Sequence, residues 1–90
     1  MAVASLYTVT AWHRGTCVWL SSSPQRRAVV SAVKHALADL GADGAFIECI
    51  VPAAGRVTTA SIAVVTADGR WHWQGAPEMN GALRRYVESL

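Results

Sequence analysis

Val29, Val33, Ala36, Leu37 and Leu40 recur three and four residues apart, between Ser23-Pro24 on one side and Gly41 on the other. Residues at that period line up on one face of an α-helix while their neighbours rotate away. Ser23 has the hydroxyl of an N-cap, Pro24 the fixed φ of a first helical residue, and Gly41 the freedom wanted just past the end. Arg27, Ser31, Lys34 and His35 fall on the outward side. A second stripe, Met79, Ala82, Leu83, Tyr86, Val87 and Leu90, predicts a helix from Pro77 to Leu90, with Glu78, Arg84, Arg85 and Glu88 facing water. Gly81 weakens it by about 1 kcal/mol relative to alanine. A helix with one apolar face must bury that face, and two such helices cover one side of a sheet.

The remaining segments supply the sheet. Leu6–His13 and Thr16–Ser21 are rich in β-formers and flank Arg14-Gly15, a two-residue hairpin turn. Counting outward pairs His13 with Thr16, Trp12 with Cys17, Ala11 with Val18, Thr10 with Trp19 and Val9 with Leu20. One face then carries Tyr7, Val9, Ala11, Val18 and Leu20, and reads as core. The other carries Leu6, Thr8, Thr10, Trp12, Cys17 and Trp19. Ala45–Val51 is a short apolar run, with Phe46, Ile47, Ile50 and Val51 buried and Glu48 interrupting it. Residues 52–56 form a loop. Val57–Ala67 and Arg70–Gln74 make a second hairpin across Asp68-Gly69. That register pairs Thr66 with Trp71 and Val64 with Trp73. It puts Ile62, Val64, Trp71 and Trp73 in the core, opposite Thr59, Ser61, Ala63, Val65, Arg70, His72 and Gln74.

The expected fold is therefore α+β in the order ββαβββα: a two-layer sandwich, with a mostly antiparallel five-stranded sheet and two helices on one face. At 90 residues, 52% hydrophobic and 16% charged, residues 1–90 make one globular domain. A domain of this size buries roughly 60–65% of its unfolded surface, an adequate but thin core, and the low charged fraction leaves room for some apolar surface to be covered by a partner. No basic n-region opens the chain, and no apolar run reaches the 18 residues of a membrane span. The expectation is a cytoplasmic protein without membrane contact. Cys17 and Cys49 are then read as buried, free thiols.

Chemistry-bearing motifs are sparse. Cys17 and His13 point to opposite sides of the predicted pleat, so no thiolate–imidazole pair forms there. Three His and two Cys follow no zinc-ligand spacing. Glu48 is the one carboxylate inside a predicted strand, and a place on the open sheet face or beside an Arg accounts for it. Gly41, Gly44 and Gly55 make no phosphate loop. No catalytic, cofactor-binding or metal residue is assigned, and neither enzyme activity nor a cofactor is expected.

The net charge of +2 is a weak nucleic-acid signal. Arg70-Trp71-His72-Trp73 interleaves basic and aromatic groups as stacking platforms do, but alternation turns the tryptophans towards the core. Arg26, Arg27, Lys34 and His35 give the first helix a basic outer side. The expected function is that of a small non-enzymatic binding protein acting by protein–protein contact, with a protein partner or a homodimer. Accessory regulators and phage or mobile-element inhibitors of host machinery, anti-defence proteins among them, share this size and style, an analogy that rests on no motif. The alternative is a nucleic-acid-binding regulator using the Arg-rich helix faces; a small enzyme stands third. The expected contact residues are Trp12, Trp19 and Thr10 on the open face, then Arg27, Lys34 and His35 on the helix. Trp12 and Trp19 lie diagonally and touch in this register, and tryptophan is enriched in binding hot spots.

Overall fold

The computed structural model of the chain describes residues 6–53 and 55–90, without the side chains of 51–53. The expectations for the first five residues, for burial of Val51 and for Ala54 in the 52–56 loop lie outside the described residues. The elements are β1 (Leu6–His13), β2 (Thr16–Ser23), α1 (Arg26–Ala38), β3 (Gly44–Ala53), β4 (Arg56–Thr66), β5 (Trp71–Trp73) and α2 (Pro77–Glu88). The strands form one antiparallel sheet in the order β2-β1-β3-β4-β5. β2 and β3 flank β1 and so run parallel, and α1 makes the crossover between them.

Both helices pack on the same face, α1 over β1 and β2 and α2 over β4. The protein is an α+β sandwich of two layers, as the two helical stripes require. Its interior is built from Tyr7, Val9 and Ala11 on β1, Ala45, Ile47 and Cys49 on β3, and Ile62, Ala63 and Val65 on β4. Val29, Val33 and Ala36 close it from α1, and Leu83 from α2.

Three single-residue events shift the faces from the expected arrangement. The first hairpin does turn at Arg14-Gly15, both at positive φ (50° and 80°), the signature of a type I′ turn. His13 pairs Thr16 and Trp12 pairs Cys17, but Ala11 then pairs Trp19 rather than Val18. Val18 is the extra residue of a β-bulge, and beyond it every β2 side chain changes face. Trp19 moves to the helix side and Leu20 to the open side, where it is 67% exposed. Trp12 and Trp19 therefore do not share a face.

A second bulge falls on β4. Ile47 pairs Ala63 and Glu48 pairs Ser61, so Ile62 is extra. This places both Ile62 and Ala63 in the core. The third shift is the β4–β5 turn. The Gly69 N–H donates to the Thr66 carbonyl (2.9 Å), the Thr66 N–H donates to the Arg70 carbonyl (3.0 Å), and Gly69 has φ 84°. This is a three-residue loop with a left-handed glycine, not a two-residue Asp-Gly turn. Trp71 consequently pairs Val65, and Trp73 pairs Ala63. Trp71 and Trp73 still face the helix side, stacked 5.3 Å apart, but above Ala63 and Val65, while Val64 goes to the open face.

The helix ends are also displaced. Ser23 finishes β2, and α1 starts at Arg26 with Gln25 at the N-cap. Ser23 contributes differently: its Oγ accepts the Gln25 N–H at 3.0 Å. Leu40 lies past the helix and is 37% exposed, and Leu90 past α2 is exposed too, so neither belongs to its buried stripe. Cys17 is exposed and Cys49 buried, both as free thiols.

Candidate functional site

The six expected contact residues divide between two surfaces. Thr10 and Trp12 stand on the open sheet face. Trp19 and His35 stand on the other side, where β2 meets α1, and Arg27 and Lys34 are exposed on the outer side of α1.

The open face is organised by register. Leu20, Thr10, Phe46, Val64 and His72 are successive cross-strand partners, one from each strand, in a row across the whole sheet. Phe46 was expected in the core and is 43% exposed. Its position follows from strand parity: Ala45, Ile47 and Cys49 are buried, so Phe46, Glu48 and Ile50 turn outward together. The polarity of Glu48 was the sequence signal for that parity. Trp12 lies beside the row, its ring centroid 4.7 Å from that of Phe46 at 39°.

Gly44 makes this pair feasible. Trp12 is opposite Gly44, and a Cβ there would come within 3.2 Å of the indole and 3.1 Å of the Val65 carbonyl. The glycine leaves room for the indole to approach β3 closely. The neighbouring turn is tied down as well. The Asp43 N–H donates to the Trp12 carbonyl (2.8 Å), and the Arg14 N–H donates to Asp43 Oδ2 (2.7 Å). His13 Nδ1 adds an ion-pair distance of 3.3 Å to Asp43 Oδ1. The Arg14 N–H and the nearby His13 hold the Asp43 carboxyl below its ordinary pKa. Thr8, Glu48 and Ser61 form the next, polar row.

The second surface is a cleft of about 390 Å³ between β2 and α1. Val9, Val29 and Ala32 line its apolar part, and Ser21, Ser23 and Ser31 give it hydroxyls. Trp19 stands edge-on to His35, with ring centroids 4.9 Å apart at 70°. The indole N–H donates to Ser21 Oγ (3.0 Å), and His35 Nδ1 is 2.7 Å from Asp39 Oδ2. Aspartate fixation of one imidazole nitrogen is an arrangement found in general bases. The contacts of the ring are thus the Asp39 carboxylate and the edge of the Trp19 indole.

Tyr7, buried beside Cys49, has its phenol pKa raised chiefly by burial, and it does not open to either surface. Asn80 was not singled out in the sequence, yet it is buried and structural. Its Nδ2 donates to the Gln74 carbonyl at 2.7 Å and holds the β5–α2 connection. Among the described residues no three His, Cys, Asp or Glu cluster as metal ligands would, and no helix is long and apolar enough to cross a membrane. Comparison of the chain with protein-family models, with curated proteins and with solved structures finds no match.

Proposed function

We propose that this is a non-enzymatic binding domain that works by protein–protein contact through its uncovered sheet face, as an accessory regulator or inhibitor of the protein it holds. The observation that supports this is the row Leu20-Thr10-Phe46-Val64-His72 with Trp12 packed beside it, on the face that neither helix covers. A flat, half-apolar face bearing two aromatic rings suits the buried centre of a protein interface, and its hydroxyl rows suit a polar rim. The partner is a second copy or another protein, and the experiment separates these.

A photo-crosslinking residue at Thr10, in the middle of the row, should trap a partner in the native host, and sedimentation velocity should report self-association. Phe46→Ser with Leu20→Ser should keep the fold and weaken association by at least about 2 kcal/mol if either residue is a hot spot. Loss of neither crosslinking nor self-association in the variant would refute the reading.

A nucleic-acid-binding regulator is the second reading. It is favoured by one contact: Arg26 lies over the Tyr86 ring at 5.9 Å, which brings the basic start of α1 beside α2. Retention on DNA or RNA that falls steeply with salt would support it over the sheet-face reading.

A further inference from the structure

The cleft beside β2 adjoins a strand that stands at the edge of the sheet. β2 is an edge strand eight residues long, with β1 as its one strand partner among the described residues. Its sequence, Thr16 to Ser23, contains no charged residue and no proline, two of the devices that keep an edge from pairing, and the third, the Val18 bulge, lies near its start, which leaves Trp19 to Ser23 as the regular edge. The other edge, β5, is only three residues long. Directly above β2 on the helix side lies the 390 Å³ cleft, walled by Trp19 and Ser21 from the strand and by Ala28 and His35 from α1. A strand added to this edge would offer main-chain groups to β2, and its alternate side chains would turn into the cleft.

The charge around the cleft narrows the occupant. Arg27 and Lys34 stand one turn before and one turn after Ser31 on the exposed side of α1. α1 itself contains no acidic residue, no carboxylate is among the residues that line the cleft, and Asp39, just past α1, is engaged by His35. We infer that the β2 edge and the α1 cleft form a peptide-binding site for an extended segment that pairs with β2, inserts apolar side chains under α1, and carries acidic residues that meet Arg27 and Lys34.

A display library of random peptides of the same length as β2 tests this directly. Enriched sequences should lack proline, alternate apolar residues along their length and contain Asp or Glu. A synthetic peptide of the consensus should raise amide-exchange protection along β2. Ala28→Phe, which fills the cleft from a partly exposed helix position, should weaken binding at least about tenfold. The pair Arg27→Glu and Lys34→Glu should weaken it too, and a peptide with Lys in place of its acidic residues should restore binding to that variant. Phe46→Ser should leave peptide affinity unchanged, so this site and the open face fail or succeed separately. Unchanged amide shifts away from α1 confirm that each variant is folded. Three results would overturn the inference: no enrichment, protection that appears on the open face instead, or β2 protection that grows with protein concentration in the absence of peptide, which would assign the edge to a second copy.

Discussion

Phe46 and Ile47 are neighbours in the chain and opposites in the fold, so one substitution made at both positions measures the face assignment. Ile47 is fully buried on the central strand between Val9 of β1 and Ala63 of β4. Ile47→Thr removes apolar volume, about 0.5–1.5 kcal/mol when isoleucine becomes valine. It also buries a hydroxyl, which costs about 1–3 kcal/mol where no partner is at hand. The flanking residues are held on strands and cannot collapse into the gap, so the expected loss is about 3–4 kcal/mol. Phe46→Thr leaves its hydroxyl in water. It forfeits roughly half the burial of a phenylalanine and the contact with Trp12, about 1–2 kcal/mol together.

A domain of 90 residues has about 5–13 kcal/mol in total, so both variants should remain folded at room temperature. Each kcal/mol shifts Tm by about 4–8 °C at this size. Ile47→Thr should lower Tm by about 15–30 °C and Phe46→Thr by about 5–15 °C. Urea titration followed by circular dichroism gives the same comparison in free energy, with an unchanged slope if only stability is altered. Equal losses at the two positions would mean that the outer face is covered within the domain. A larger loss at Phe46 would invert the sheet and overturn the account of both surfaces.

Val33→Asp, at a fully covered position of α1, should put an unpaired charge in the core and unfold the domain; a Tm like that of the wild type would show that the stripe is not core. Cys17 should react at once with a thiol reagent under native conditions and Cys49 only on unfolding, read as two separate phases; a single fast phase would place Cys49 at the surface. Asp43 has its folded pKa held below the ordinary 3.8, so its contribution is present above that value and is lost as pH falls through the folded value. Asp43→Asn should therefore give a shallower decline of stability between about pH 5 and pH 2 than the wild type, measured by urea midpoints at each pH; an unchanged slope would remove the Arg14 contact from the account.

The order ββαβββα, the two-layer arrangement and the buried stripe Val29-Val33-Ala36 were legible in the chain, because a helical period and a turn dipeptide are local properties. The Arg14-Gly15 turn belongs to the same class: two residues sufficient for a type I′ turn sit between two β-rich runs. Face assignment in the strands is another matter. It depends on counting residues from a turn, and one residue of error exchanges core for surface over the whole length beyond it. Val18, Ile62 and the left-handed Gly69 each insert such a residue. Nothing local to Val18 distinguishes a bulged valine from a paired one. The bulge places Trp19 against His35 of α1 and Leu20 in line with Thr10 and Phe46, neighbours that belong to other elements. The sequence alone therefore determined which elements exist and which helix faces are apolar. Only the tertiary structure separated Trp12 from Trp19 and brought Phe46 to the surface, because the energy that decides a strand register resides in its cross-strand and helix–sheet partners.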